Sequence, residues 1–204
     1  MAVLIRDLLF TPNCLGCNQL GEWICGRCLA NLKVQTSRQI PNVDLVITAH
    51  HYEGWLRDKV IAYKSGEIHL ARGLAEILIC NCLTKVDQLT LVPIPSSQEK
   101  IKLRQVDTIL NITKQVQLLD RKFLVMPNLK LIKSVSDQVG LSYEDRINNL
   151  EDAFGALRKI NGDVILIDDV ITTGSTMSSA AKTLKLVGAK SVTAVALCSA
   201  GKMH

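Results

Sequence analysis

Aromatic residues are scarce in this sequence, at 4% of its 204 residues, and charge of neither sign dominates. The hydrophobic content is nevertheless 48%, which excludes an intrinsically disordered chain and leaves the core to Leu, Ile and Val. A parallel α/β sheet prefers such a core. The formal net charge of +5 favours polyanionic partners but lies within the range of ordinary globular proteins.

Secretion and membrane signals are missing as well. Residues 1–10 are apolar, but Arg6 and Asp7 interrupt them, and neither a small-residue cleavage site nor a long apolar run follows. We therefore expect no signal peptide, no membrane span and a cytoplasmic protein. The chain also lacks the G-x-x-x-x-G-K-[ST] loop, which excludes a Walker-type phosphate site.

Four of the seven cysteines form two closely spaced pairs. Cys14, Cys17, Cys25 and Cys28 follow the pattern C-x2-C-x7-C-x2-C. Four thiolates at this spacing indicate the closed tetrahedral shell of a structural zinc site. A C-x-x-C redox pair or reducible disulfides are the alternatives. The other three lack the spacing, and we expect them to be small core residues: Cys80, Cys82 and Cys198.

The remainder of the chain alternates between strand-like and helical patterns over residues 44–197. This alternation predicts an α/β fold with a mostly parallel sheet and helices on both faces. Polar residues 29–43 are typical of a link between two units. We therefore expect a zinc-knuckle module with its linker at 1–40 and a main domain at 41–204.

The most informative stretch, residues 164–177, reads VILIDDVITTGSTM. Its four leading apolar residues are typical of a strand buried on both faces, and a helical period follows Thr176 and ends near Gly188. The turn between them therefore lies at the carboxyl end of a strand and at a helix N-terminus. Free backbone N–H groups and the helix dipole favour a phosphate there.

The side chains of this stretch suit a phosphorylated sugar. Hydroxyl groups donate hydrogen bonds to phosphate, and a glycine allows the backbone to approach it closely. Two adjacent carboxylates accept hydrogen bonds from sugar hydroxyls or orient a divalent cation. A buried strand whose acids merely face solvent is the alternative. The residues predicted to bind a ribose 5-phosphate are Asp168, Asp169, Thr172, Thr173, Gly174, Ser175 and Thr176.

Two further stretches carry polar residues that suit this ligand. Lys64 ends a helical pattern in a Gly-containing turn and could reach a pyrophosphate, although a solvated surface lysine is the alternative. Residues 134–150 are polar and long enough to form a mobile cover over the site, because long loops in compact domains are usually functional.

Residues 164–176 resemble the phosphoribosyl pyrophosphate (PRPP) signature of type I phosphoribosyltransferases, in which paired acids meet the ribose 2′ and 3′ hydroxyls. With the four-Cys knuckle, residues 52–66, the VPIP segment at 92–95 and residues 138–154, the chain resembles the ComF (GntX-like) family over nearly its whole length. That resemblance implies a phosphoribosyltransferase-like domain behind a zinc finger, PRPP bound with magnesium, and a link to DNA uptake in natural transformation. Pyrophosphate or lid residues are then expected at Lys64, Arg104, Gln138, Arg146 and Asn149.

One segment departs from the family pattern. After the VPIP strand the family usually shows Arg-Gly-Phe-Asn-Gln, whereas this chain reads Arg104-Gln105-Val106-Asp107-Thr108. The change removes a flexible glycine and adds a negative charge where a pyrophosphate or a nucleic-acid strand is expected.

Two functions therefore remain open. The first is binding of PRPP or a related phosphoribosyl ligand in the service of DNA uptake, with phosphoribosyl transfer to an acceptor that the sequence does not identify. The second is non-catalytic handling of single-stranded DNA, alongside the DNA-uptake machinery, by a protein that retains the phosphoribosyltransferase fold.

Overall fold

The computed structural model describes residues 11–37, 39–132 and 153–201. The α-helices in these stretches are α1 Gly26–Ala30, α2 Gly54–Lys64, α3 Ala71–Asn81, α4 Gln98–Arg104, α5 Thr108–Leu119 and α6 Ser175–Leu186. The strands are β1 Gln35–Ser37, β2 Leu45–His51, β3 Thr90–Pro93, β4 Leu124–Val125, β5 Leu129–Leu131, β6 Phe154–Ala156, β7 Gly162–Ile171 and β8 Ala189–Ser199. Short 3-10 turns at Ile68–Leu70 and Leu83–Lys85 flank α3. None of the described helices is long and apolar enough to cross a membrane.

The main sheet has six strands in the order β1-β2-β8-β7-β3-β4. Strands β2, β8, β7, β3 and β4 run parallel, and β1 pairs antiparallel with β2 at one edge. Strands β5 and β6 form a separate antiparallel pair. The predicted α/β fold with a mostly parallel sheet is confirmed.

Both faces of the central strands are buried, which explains why β7 is apolar without alternation. Ile165 and Ile167 pack on the face covered by α2, α3 and α5. Val164 and Leu166 pack on the opposite face, against α6 and the β5–β6 pair. Because each face of a parallel sheet needs its own cover, the strand carries apolar side chains at successive positions.

The four-Cys module, defined here as residues 14–28, packs directly on helices α2 and α3. Leu15 and Ile24 belong to the same buried cluster as Leu56 of α2 and Leu74 of α3. The approach is close, since a Cβ added at Gly73 would lie 2.6 Å from Leu15 Cδ1. The four-Cys module and the face formed by α2 and α3 therefore share one hydrophobic core.

Three local features differ from expectation. Helix α4 was not predicted, because it has no buried residue and so no apolar periodicity. The segment expected to be a linker contains β1, whose polar sequence Gln-Thr-Ser gives no strand signal. Cys80, expected in the core, is exposed at the end of α3, whereas Cys82 and Cys198 are buried as predicted.

Candidate functional site

The candidate site lies at the point where the chain reverses its direction across the sheet. From β3 the chain proceeds through α4 and α5 outward to β4, whereas from β7 it proceeds through α6 in the other direction to β8. The carboxyl ends of β3 and β7 flank a crevice, which is where open α/β sheets bind ligands. A cavity of about 530 Å³ occupies this crevice.

Two acids from β7 form the floor of the cavity. Asp168 and Asp169 lie inside the strand, three and two residues before its end at Ile171, and both line the cavity. The backbone N–H of Asp169 donates to Asp168 Oδ1 over 2.8 Å. Lys64, the last residue of α2, places its Nζ 2.7 Å from Asp169 Oδ1. The structure therefore brings Lys64 to the acid pair, although more than a hundred residues separate them in the sequence.

The two carboxyl groups differ in their electrostatic surroundings. Burial raises the pKa of Asp168 from its ordinary value of 3.8 to about 7, and the neighbouring charge of Asp169 adds to this effect. The Asp169 N–H, Lys64 and Lys100 oppose the rise without cancelling it. The Asp168 carboxyl is thus held where ionisation is unfavourable, as is common at functional sites.

This elevated pKa predicts a pH-dependent stability effect of Asp168→Asn. Between about pH 4 and pH 7 the folded chain holds a proton on Asp168 that the unfolded chain releases, so wild-type stability falls as pH rises through this window. We expect the variant to be more stable than the wild type by about 1 kcal/mol or more near pH 8, and nearly equal to it near pH 4.

Chemical denaturation at the two pH values measures this difference. Asp163→Asn is the matched control, because it makes the same substitution at an exposed acid at the start of the same strand, outside the cavity lining. A variant no more stable than wild type at high pH would contradict the assignment.

The turn after β7 presents its backbone at the N-terminus of α6. Gly174 caps the helix with φ of 80°, a left-handed conformation that favours glycine. The Oγ atoms of Thr173 and Ser175 lie 2.8 Å apart, and Thr176 lines the cavity. Ile40 covers the turn from outside, since a Cβ added at Gly174 would lie 2.6 Å from Ile40 Cδ1. The positive φ therefore favours glycine at position 174, and a Cβ there would also force the Ile40 side chain to shift.

A second wall of the cavity comes from the segment that follows β3. Ile94 N donates to Ile167 O over 2.9 Å, which holds the segment beside the acid pair. Arg104 from α4 lines the cavity, and so does Lys100, which the sequence analysis did not identify. Ser97 Oγ accepts from Lys100 N and caps α4. Ser97, a residue type that favours helix N-termini, follows Pro93 and Pro95 closely, and this was the sequence feature that could have predicted α4.

The departure from the family pattern has a structural role. Gln105 adopts φ of 56° at the C-terminus of α4, where a glycine would be unstrained. Asp107 caps α5 by accepting from Leu110 N over 3.2 Å. Both departures from the family pattern, Gln105 in place of a glycine and the extra carboxylate of Asp107, therefore lie beside the cavity.

Three predicted site residues lie outside the described part of the chain. These are Gln138, Arg146 and Asn149, together with the whole of the expected cover at 134–150. The neighbouring strands β5 and β6 are described, and Leu131 and Phe154 on them contribute apolar surface to the cavity.

Comparison with known proteins agrees with this geometry. Residues 53–203 match the family described as phosphoribosyl transferase domain. The chain belongs to this family. It is also 29% identical over 183 residues to Competence protein F of Haemophilus influenzae (strain ATCC 51907 / DSM 11121 / KW20 / Rd), across 82% of this chain and 75% of that protein. The ComF-like resemblance is thereby confirmed.

The four-Cys cluster supplies the second feature of the ComF-like pattern. All four sulfur atoms lie within 4.8 Å of one another, and Cys17 Sγ is 3.7 Å from Cys25 Sγ. Thiolates that share one tetrahedral zinc ion at about 2.3 Å stand at comparable separations. Burial acts to raise the pKa of Cys14, but nearby backbone N–H groups outweigh it and lower the pKa to about 6. The cluster fits a metal ion such as zinc.

Proposed function

We propose that this ComF-like protein binds PRPP, or a related phosphoribosyl ligand, together with magnesium in the cavity between β3 and β7. The observation that supports this is that the two acids of β7, Thr176 at the start of α6 and cations from α2 and α4 line one cavity. In this assignment Asp168 and Asp169 accept hydrogen bonds from the ribose hydroxyls, and the turn holds the 5-phosphate. Lys64 and Arg104 neutralise pyrophosphate charge.

The same arrangement supports phosphoribosyl transfer as the reaction. A nucleophile would form a bond to the anomeric carbon while the bond from that carbon to the pyrophosphate oxygen breaks, and pyrophosphate leaves with the electron pair. Magnesium, when bound, neutralises the phosphate oxygens, and carboxylates such as Asp168 and Asp169 are the ligand type it prefers. The cations of the cavity then serve mainly to stabilise the leaving group.

A cytoplasmic role in DNA uptake is the biological part of this proposal. Its support is the similarity to a protein named Competence protein F over most of both chains. The non-catalytic alternative, handling of single-stranded DNA, shares this support, and the two differ in whether the acid pair is needed for ligand binding.

Isothermal titration calorimetry of the zinc-loaded protein with PRPP and magnesium tests the ligand assignment. We expect saturable binding at one site per chain, competed by ribose 5-phosphate, because both ligands present the same phosphate and hydroxyl groups. Single-stranded DNA titrated into the same preparation serves as the comparison. Two results together would favour the non-catalytic alternative. The protein would bind DNA, and neither phosphosugar would produce binding heat or raise the melting temperature.

A further inference from the structure

Ser96 lies at the start of the loop between β3 and α4 and faces the cavity. Both of its hydrogen-bond donors are directed at one carboxylate. Ser96 Oγ donates to Asp107 Oδ1 over 3.1 Å, and Ser96 N is 3.4 Å from Asp107 Oδ2. Donors that a phosphate oxygen could use are thus already engaged by an acid.

Among the residues that the structure describes, the charges on this side of the cavity are nearly balanced. Lys64 is paired with Asp169, so the other lining cations of that set are Lys100 and Arg104. Glu99 also lines the cavity, and Asp107 lies directly behind Ser96. On this side of the cavity a diphosphate would therefore meet the repulsion of the Glu99 and Asp107 carboxylates as well as the attraction of Lys100 and Arg104.

We propose that Asp107 is a specificity-determining residue that lowers the affinity of the Ser96 side of the cavity for a diphosphate group. This inference rests on the proposed phosphoribosyl function and refines its ligand class. PRPP then binds less tightly than it would without this carboxylate, whereas the class of ligands whose only phosphate is the one held by the turn at 172–176 is not weakened by it. Ribose 5-phosphate and its base-linked or amine-linked derivatives form that class.

Asp107→Asn tests this role with inorganic pyrophosphate as the probe. Asparagine caps a helix as well as aspartate does, so α5 should keep its N-terminus while the charge is removed. We expect pyrophosphate to bind about three- to tenfold more tightly to the variant at low salt, with a smaller gain at high salt. Affinity for ribose 5-phosphate should change less than about twofold.

Asp120→Asn is the matched charge control, because Asp120 lies at the opposite end of the same helix. Asp107→Ser provides a second variant that keeps a capping side chain but is too short to engage both Ser96 donors. The proposal is overturned if both Asp107 variants bind pyrophosphate no more tightly than the wild type does. It is also overturned if neither variant binds pyrophosphate at all. Failure of ribose 5-phosphate to bind the wild type would instead count against the phosphoribosyl assignment.

Discussion

Replacing Asp168 or Asp169 by Asn is expected to weaken PRPP binding at least about tenfold, because each change removes a charged acceptor of ribose hydroxyl bonds. A hydrogen bond to a charged group contributes about 1.5 to 3 kcal/mol, and about 1.4 kcal/mol corresponds to a tenfold change in affinity. The titration should be done near pH 8, where the Asp168 carboxyl, with a pKa of about 7, is mostly ionised.

The same variants separate the two functional hypotheses. Binding of single-stranded DNA through a basic surface should be unchanged or slightly stronger, since less negative charge repels its phosphates. Asp163→Asn is the control, with an equal charge change at the far end of β7. Unaltered PRPP affinity in both site variants would remove the basis of the ribose assignment. Loss of DNA binding in both would mean that one cavity serves both ligands.

Release of the metal from the four-Cys cluster is expected to destabilise the whole protein. Leu15 and Ile24 of the module share a core with helices α2 and α3. Full burial of such a side chain stabilises a protein by about 1.5 to 3 kcal/mol, and binding of a structural zinc ion is itself coupled to folding. We expect Cys14→Ser, or treatment with a strong chelator, to lower the melting temperature by about 10 °C or more.

Elemental analysis and thermal unfolding together check this expectation. The wild type should carry about one zinc per chain, as a site with four thiolate ligands requires. Cys80→Ser removes an exposed thiol outside the cluster and should change neither zinc content nor melting temperature. Gly73→Ala should lower the melting temperature while zinc is retained, because its Cβ would displace Leu15. A Cys14→Ser protein that loses zinc but melts like wild type would show that the module is energetically independent.

The parts of the fold that the sequence predicted are those encoded by local patterns. The strand before Asp168 is recognisable because its apolar residues are buried on both faces. The cysteine spacing indicated the cluster, because two C-x-x-C pairs suffice to describe a tetrahedral ligand set. Lys64 was expected either to reach a pyrophosphate or to be a solvated surface lysine, and the structure pairs it with Asp169 at the cavity.

The parts that escaped prediction depend on contacts between distant residues or on helices without an apolar face. Lys100 was missed because α4 buries none of its side chains. The contact of Leu15 with Gly73 has no local signature, since a glycine within a helix signals only that space or flexibility is needed. The sequence showed the extra negative charge of Asp107. It did not show the hydrogen bonds that Asp107 accepts from Ser96, because the two residues are 11 positions apart.

The position of β2 has a consequence for where this protein can be divided. The matched phosphoribosyltransferase region begins at residue 53, after β2 has ended at His51. Yet β2 lies inside the sheet and pairs with β8, a strand buried along most of its length. A fragment cut at residue 53 would present the backbone of β8 as an open apolar edge, the kind of surface that recruits other chains into aggregates. The region that matches the family is thus smaller than the unit that keeps the edge of β8 paired.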